Sequence, residues 1–84
     1  MATKAWNVDI GGKTHYVELD HGTMSGKVTI MVDDVVTFER GMSMNFGDNI
    51  PFQIAGEEAE LEISTEGMDW DYALKVANRV VAQL

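Results

Sequence analysis

The fold is decided by residues 59–76, which read AELEISTEGMDWDYALKV. Apolar and polar side chains alternate along both halves of this stretch, and a glycine-containing turn at residues 66–69 separates the halves. Alternation with a period of two residues is typical of β-strands that are buried on one face. The stretch therefore predicts an antiparallel hairpin with strands at Ala59–Thr65 and Trp70–Val76.

One register of this hairpin satisfies both of its faces. On the outer face it sets Glu60 opposite Lys75, and a cross-strand ion pair of this kind stabilises a sheet by about 0.2–1 kcal/mol. On the inner face it sets Leu61 opposite Leu74, Ile63 opposite Tyr72 and Thr65 opposite Trp70.

A second hairpin is predicted at the start of the chain. Gly11-Gly12 is a strong signal for a two-residue turn, because glycine readily adopts the positive φ that primed turns need. Strands at Lys4–Ile10 and Lys13–Leu19 then flank this turn. The pairing sets Val8 opposite His15 and Trp6 opposite Val17, so we interpret His15 as a histidine at the edge of the core rather than a ligand.

A third strand with Val28, Ile30 and Val32 on one face leads into a turn at Asp33-Asp34 and a fourth strand with Val36 and Phe38. A two-residue turn here sets Phe38 opposite Thr29, on the wrong face of the sheet. We therefore predict a three-residue loop with Asp34 in the left-handed region, because a register slip by one residue exposes the whole apolar set.

The remaining strands are predicted from shorter patterns. A short edge strand is expected between Gly41 and Gly47, and the next strand contains Pro51, which indicates an edge position or a strand start. A turn at Ala77-Asn78 leads into a last strand, Arg79–Leu84, with Val81 opposite Leu74. The apolar positions of the short edge strand are Met42, Met44 and Phe46, and those of the strand that contains Pro51 are Ile50, Phe52 and Ile54.

These patterns predict an all-β domain that spans residues 1–84. About eight short antiparallel strands form either a sandwich or a small barrel, and we favour an antiparallel β-sandwich. A chain of 84 residues is short enough for one domain, with one thin core and little room for a deep pocket.

Composition excludes several classes of function. The chain has no cysteine, so it has no disulfide, no cysteine-zinc site and no thiol nucleophile. It has a net charge of −8, and no basic residue lies between Arg40 and Lys75, so a nucleic acid or an anionic membrane is not expected as a partner. The N-terminus does not resemble a signal peptide and no stretch is long enough to span a membrane, so we expect a cytoplasmic protein.

The loop Asp20–Lys27 reads DHGTMSGK and is the one place where unusual chemistry is expected. It differs from a phosphate-binding loop because three residues, not four, separate its glycines and because Val28 replaces the magnesium-binding hydroxyl. His21 and Ser25 are residue types of a hydrolase, but neighbours on one short loop rarely reach triad geometry. Two histidines and no cysteine make a zinc site improbable, and we predict no catalytic residue, metal or cofactor.

The same loop has a structural interpretation. Gly22 and Gly26 would adopt backbone angles that other residues resist, while the hydroxyls of Thr23 and Ser25 hydrogen-bond the turn. The remaining side chains of the loop are candidates for contact with a ligand or a partner. Those we single out are His21 and Lys27.

Four segments of the chain together carry a resemblance to a known family. They are Trp6-x-Val8, Glu18-x-Asp20-His21-Gly22-Thr23-x-Ser25-Gly26-Lys27, Val32-Asp33, and Tyr72-x-Leu74-x-Val76 with the turn at Ala77-Asn78. With these segments the sequence resembles the Fas apoptotic inhibitory molecule family, and specifically its N-terminal repeat. The resemblance implies an antiparallel β-sandwich and a non-enzymatic, cytosolic module for interaction or protection, connected with death-receptor signalling and with limiting protein aggregation.

Two hypotheses of function remain open. The first is a protein-interaction module, monomeric or weakly dimeric, whose partner is a protein of basic character. Its candidate surfaces are the loop, through His21, Thr23, Ser25 and Lys27, and the acidic outer face, through Glu60, Glu62 and Asp71. The second is a sandwich that binds a metabolite or a carbohydrate with the Asp20–Lys27 loop. Self-association through an unprotected edge strand is compatible with either hypothesis.

Overall fold

The computed structural model describes residues 1–42, 47–67 and 69–84, and within them it shows two four-stranded antiparallel sheets. Each sheet follows the chain order, so within a sheet every strand pairs with its neighbours in sequence. The predicted all-β sandwich is confirmed. The first sheet contains β1 (Ala2–Ile10), β2 (Lys13–His21), β3 (Val28–Val32) and β4 (Val35–Arg40); the second contains β5 (Asp48–Ile54), β6 (Glu57–Glu66), β7 (Asp69–Val76) and β8 (Arg79–Val81).

The hydrophobic core lies between the inner faces of the two sheets, as the alternation of each strand requires. Trp6, Leu19 and Ile30 of the first sheet are fully buried, and Ile54 and Leu74 are their counterparts in the second. The described part of the chain contains no helix that is long and apolar enough to cross a membrane.

The first hairpin has the predicted register, with Val8 opposite His15 and Trp6 opposite Val17. Gly11 and Gly12 adopt φ of 59° and 79°, the left-handed values that a type I′ turn needs. The predicted second strand was too short, because β2 continues the alternation of inward residues by one more step to His21.

The connection between β3 and β4 differs from the prediction. The turn has two residues, Asp33 and Asp34, and both have positive φ, 51° and 66°. Val32 pairs with Val35, and a β-bulge at the Ile30/Met31 step then shifts the register so that Phe38 lies opposite Ile30. The bulge, rather than a longer loop, returns Phe38 to the inner face, since an extra residue in one strand reverses the direction of the side chains that follow.

The bulge also changes which residues of β4 are buried. Phe38 is packed against the core, as expected. Val36, which the longer loop would turn inward, lies opposite Met31 and is 53% exposed. The expectation that the three-residue loop keeps every apolar residue of β4 on the inner face was therefore wrong.

The hairpin of β6 and β7 has the register predicted from its alternation. Leu61 pairs with Leu74, Glu60 lies opposite Lys75, and the inner pairs at Ile63 and Thr65 also match. The ion pair, however, joins Lys75 to Glu62, with 2.8 Å between Nζ and Oε1. The lysine side chain reaches along the sheet to the diagonal neighbour, which a long flexible side chain does readily.

The edges of the second sheet are only partly as predicted. β5 lies at an edge, which accommodates Pro51. β8 ends at Val81, three residues before the predicted end, although Val81 lies opposite Leu74 as expected. Met42 is exposed and outside any strand, whereas Met44 and Phe46, the other positions of the predicted short edge strand, lie outside the described residues.

Backbone contacts join the two sheets along one seam, between β1 and the residues that follow β8. After β8, Gln83 forms an isolated bridge with Trp6 of β1, and the N–H of Leu84 donates to the carbonyl of Ala5 at 2.9 Å. The side chain of Arg40 at the end of β4 forms an ion pair with Asp48 at the start of β5. The backbone contacts thus join the β1 edge of the first sheet to the second sheet, and the ion pair joins its opposite edge, β4, beside the Asp20–Lys27 loop.

Candidate functional site

The loop between β2 and β3 is held by its own hydrogen bonds. The N–H of Gly22 donates to the carbonyl of Lys27 at 2.8 Å, and the N–H of Gly26 donates to the carbonyl of Gly22 at 2.7 Å. The N–H of Lys27 donates to the hydroxyl of Ser25 at 3.2 Å, and Nη2 of Arg40 donates to the carbonyl of Gly26 at 3.2 Å. These hydrogen bonds fix the shape of the loop.

The two glycines of the loop serve different needs. Gly26 has φ of 75°, which only glycine adopts without strain. Gly22 has no such angle, but a Cβ at its position would collide with the Ser25 hydroxyl. Gly26 thus shapes the backbone, and Gly22 provides the space that the Ser25 side chain occupies.

His21 lies between the two sheets and not on the surface. It belongs to β2, it is 2% exposed, and its Nδ1 is hydrogen-bonded to the Tyr72 hydroxyl at 2.6 Å. Its ring meets Trp70 edge-on, with 4.7 Å between the ring centroids, and Tyr72 in the same way at 5.5 Å. The side chain links β2 of one sheet to β7 of the other.

Burial sets the titration of this histidine. It lowers the pKa of the His21 imidazole below its ordinary value of 6.5, and the positive charges of Arg40 and of the N-terminus lower it further. Burial also raises the pKa of the Tyr72 hydroxyl. The pair is therefore neutral near pH 7, which suits two polar groups that lie between packed sheets.

The exposed part of the loop is smaller than the sequence suggests. Lys27 is exposed, Met24 is fully exposed at the tip, and Thr23 and Ser25 are partly exposed. Lys27 and Thr23 are thus accessible to a partner, whereas His21 is not. Among the predicted binding residues, His21 alone is buried, so an external molecule contacts it only if the two sheets separate.

The acidic outer face lies on the second sheet, whereas the loop belongs to the first sheet. Glu60 and Glu62 point outward from β6, and Asp71 points outward from β7 opposite Ser64. The hydrogen bond between Lys75 and Glu62 lowers the pKa of the Glu62 carboxyl and raises the pKa of the Lys75 ammonium. The structure thus brings the three predicted carboxylates together on one surface, and two further acids, Glu58 and Asp69, share it by the alternation of the strands.

A groove of about 260 Å³ lies on this same face. Glu58, Glu60 and Lys75 line it together with Pro51 of the neighbouring edge strand. Because Lys75 is already paired with Glu62, the carboxylates of Glu58 and Glu60 give this groove a negative character.

A second polar cluster has a structural role that the sequence did not reveal. Oδ2 of Asp33 lies 2.7 Å from Nδ1 of His15, and Oδ1 accepts the N–H of Tyr16 at 2.9 Å. These two contacts lower the pKa of the Asp33 carboxyl, and the hydrogen bond from the Tyr16 N–H has the larger effect. His15 is buried at the core edge, as interpreted from the sequence, and it anchors the β3–β4 turn to β2.

Within residues 1–42, 47–67 and 69–84, no group of three or more histidine and acidic side chains is arranged to hold a metal ion. A larger groove, of about 390 Å³, lies between β1 and β8. Neither this groove nor the one on the acidic face includes a residue of the loop at positions 22–27.

Sequence reasoning missed the partners of His21, namely Trp70 and Tyr72, and the ion pair of Arg40 with Asp48. The signal for His21 was present, because the inward positions of β2 continue from residue 15 in steps of two. The contact across the sheets had no signal in the sequence, since it depends on how the two sheets are superposed.

The comparisons with known proteins agree with the resemblance seen in the sequence. The model of the family described as Fas apoptotic inhibitory molecule (FAIM1) matches residues 2–84 of this chain. No curated protein matches the chain.

Proposed function

The chain belongs to the Fas apoptotic inhibitory molecule family, and on this premise we propose that it is a non-enzymatic, cytoplasmic module that acts by binding another protein. The binding would serve the roles that the family resemblance implies, in cell-death signalling or in limiting protein aggregation. The partner carries a basic surface, and it docks on the acidic outer face of the second sheet.

The observation that carries this proposal is the coincidence of a groove and an uncompensated negative charge on one face. Glu58 and Glu60 line the groove, Asp71 lies on the same face, and Lys75 is engaged with Glu62. Opposite charges accelerate the encounter of two proteins and fix their orientation. Lysine or arginine side chains of a partner are the natural occupants of the groove.

The loop between β2 and β3 supports the proposal in a second way. Lys27 and Thr23 are accessible at one end of the sandwich, and the loop has a fixed shape because hydrogen bonds hold it. A preformed loop costs less entropy on binding than a flexible one. We assign it the secondary contact, beside the acidic face.

The test is a comparison of two double variants with equal changes of charge. Glu60→Gln with Asp71→Asn neutralises the acidic face, and Glu18→Gln with Asp34→Asn neutralises the same residue types on the first sheet, outside the Asp20–Lys27 loop. Each protein is used as bait in native lysate. The partner recovered is then purified, and its affinity is measured by calorimetry at several salt concentrations.

We expect a partner that binds the wild-type chain and the Glu18/Asp34 variant, that is lost with the Glu60/Asp71 variant, and whose affinity falls as salt rises. A partner that binds all three proteins equally would contradict the assignment of the face. Stabilisation of the chain in a thermal-shift screen by a metabolite or a sugar, with no protein partner, would favour the ligand-binding alternative. Covalent labelling of Ser25 by a serine-reactive probe would contradict the non-enzymatic role.

A further inference from the structure

The larger groove, of about 390 Å³, lies at the end of the sandwich opposite the Asp20–Lys27 loop. Gly11 of the β1–β2 turn and Ala77 of the β7–β8 turn line it, and Glu57 follows directly after the β5–β6 turn. Successive connections of an antiparallel sheet lie at alternate ends, so the β1–β2 turn and the β2–β3 loop are far apart. The groove is therefore an opening into the sandwich between turns of both sheets.

The floor of this groove is apolar and belongs to the core. Val8 and Val76 are buried, and Ile10 and Val81 are partly buried against the core. These four side chains come from both sheets, and an aliphatic group that enters the groove removes more of their surface from water. The volume of the groove also lies within the range of small-molecule sites, about 300–1,000 Å³.

Two opposite charges occupy inward positions on the rim of the groove. Glu57 pairs with Ile54, and Arg79 pairs with Val76, and both of these partners belong to the buried core. Residues that lie directly opposite each other in an antiparallel pair point to the same face of the sheet. The Glu57 and Arg79 side chains therefore leave the second sheet on its inner side, where apolar residues are the rule, and both are exposed.

Both charged groups are available to a ligand. Among the ion pairs between described residues, none involves Glu57 or Arg79. A third charged residue of the rim, Asp9, accepts a hydrogen bond from the Thr14 hydroxyl at 2.5 Å, which fixes the position of its carboxylate. The rim thus offers one guanidinium group and one carboxylate for direct contacts, and a second carboxylate that adds negative potential.

We propose that this groove binds a free α-amino acid with an aliphatic side chain, as its zwitterion. The ammonium group of the ligand contacts the Glu57 carboxylate beside Asp9, and the ligand carboxylate accepts hydrogen bonds from the Arg79 guanidinium, which fits a carboxylate with two parallel bonds. The aliphatic side chain packs on Val8 and Val76.

The combination of groups on the rim and the floor favours this class of ligand over others. An α-amino acid carries two opposite charges and an apolar group on one carbon, which matches a small opening with two rim charges and an apolar floor. A chain terminus of a partner protein carries only one of these charges and leaves the other rim group unpaired. A ligand of this size also leaves the backbone contacts of Gln83 and Leu84 with β1 in place.

The site is separate from the acidic outer face and goes beyond the proposed function. Only Ala77 lines both grooves, and Glu60 and Asp71 do not line this one. The Glu60/Asp71 variant should therefore bind the amino acid like wild type. Arg79→Gln should in turn keep the partner that the acidic face captures, so the failure of one proposal is distinguishable from the failure of the other.

The probe is L-leucine, which is compared with two compounds of the same carbon skeleton. Isopentylamine carries only the ammonium group, and isocaproate carries only the carboxylate. Binding is followed by NMR titration of the amide shifts of the chain, up to about 20 mM of each compound. We expect leucine to shift the amides of Val8, Val76 and Ala77, and to bind at least about tenfold more tightly than either single-charge compound or glycine.

The decisive variants are Glu57→Gln and Arg79→Gln, which remove one charge each at exposed positions. We expect each variant to weaken leucine about tenfold. Glu57→Gln should also weaken isopentylamine but not isocaproate, and Arg79→Gln should do the reverse. Glu58→Gln is the matched control, because it removes the same charge one position further along β6, outside this groove, and it should leave leucine binding unchanged.

Three results would overturn the proposal. The first is leucine binding that is no tighter than the binding of isopentylamine and isocaproate. The second is leucine binding that is the same in wild type, Glu57→Gln and Arg79→Gln. The third is the absence of amide shifts at the groove at about 20 mM leucine, which would mean that the two charges only keep the open end of the sandwich soluble.

Discussion

His21 connects the two sheets through a polar contact inside an apolar core. A buried imidazole is stable there only while its polar atoms are paired, and Tyr72 supplies a partner at 2.6 Å. Trp70 packs against the same ring edge-on. The histidine that marks the family loop in the sequence is therefore a structural residue at the end of β2.

Replacing His21 should lower stability, whereas replacing its exposed neighbour in the loop should not. His21→Ala leaves a cavity and an unpaired Tyr72 hydroxyl, so we expect the free energy of unfolding to fall by about 2–4 kcal/mol. Lys27→Ala, at an exposed position, should stay within about 0.5 kcal/mol of wild type. Urea titrations of both variants measure the difference, and a His21→Ala protein as stable as Lys27→Ala would contradict the buried role.

Stability should also depend on pH through His21. Its pKa in the folded chain lies below the ordinary value of 6.5, so below about pH 6.5 the unfolded chain binds a proton that the folded chain does not. The contribution of His21 to the free energy of unfolding is therefore fully present above that pH. It should fall as the pH drops toward the lowered pKa.

The pH experiment compares urea unfolding of wild type and His21→Gln between about pH 5 and about pH 8. Glutamine retains a hydrogen-bonding group for Tyr72 but cannot be protonated in this range. The wild-type curve should slope downward on the acidic side, and the difference between the two proteins should change in the same window. Parallel curves would show that His21 is not the group that titrates.

Single residues of turns can be read from a sequence only when the turn type is known. The positions of Gly11 and Gly12 were predictable, since glycine pairs are typical of primed turns. The contact of His21 with Tyr72 was not predictable. The pairing of Lys75 with Glu62 instead of Glu60 was not predictable either. Both depend on side-chain directions that alternation does not determine.

At the scale of elements, the β3–β4 hairpin combines two irregularities, a turn with positive φ at both aspartates and a bulge after it. The sequence predicted that Phe38 faces the core but not how the chain achieves this. A longer loop and a bulge both set Phe38 opposite Ile30, because each inserts one residue, and they differ in the direction of Val36. Alternation alone cannot distinguish them, so the register of this hairpin required the structure.

The two aspartates of this turn should respond differently to glycine. Asp34 has φ of 66°, so Asp34→Gly removes the strain of a left-handed residue and should stabilise the chain by about 0.5–1 kcal/mol. Asp33→Gly relieves a similar strain but removes the contacts with the Tyr16 N–H and with His15, so it should destabilise. Urea midpoints of the two variants give the comparison, and a shift in the same direction for both would contradict the anchoring role of Asp33.

At the scale of the whole molecule, the described residues form eight strands in two sheets, and the strands of each sheet follow the order of the chain. The number of strands and the sandwich were predictable, because turn signals and alternation recur along nearly all of the sequence. The way in which the two sheets are superposed was not predictable, and neither was the seam between β1 and β8, which depends on it. The acidic face was predicted because it depends on one hairpin, whereas the groove at the seam depends on residues of β1, β6, β7 and β8.

The net charge of −8 should make the stability of the molecule depend on salt. Like charges repel more strongly in the compact state, and salt screens this repulsion. We expect the free energy of unfolding in urea to rise as sodium chloride increases from about 20 mM to about 200 mM. A fall over this range would mean that attractive pairs such as Arg40 with Asp48 outweigh the net repulsion.

The pairing of consecutive strands has a consequence for the order in which the chain acquires its structure during synthesis. All strands of the first sheet are present once Arg40 has left the ribosome, and each can pair with the strand made just before it. Its inner face, with Trp6, Leu19 and Ile30, then remains uncovered until the second half of the chain arrives a few seconds later, at roughly 5–20 residues per second. The nascent half-sandwich is thus the form of this protein that most needs protection by a chaperone.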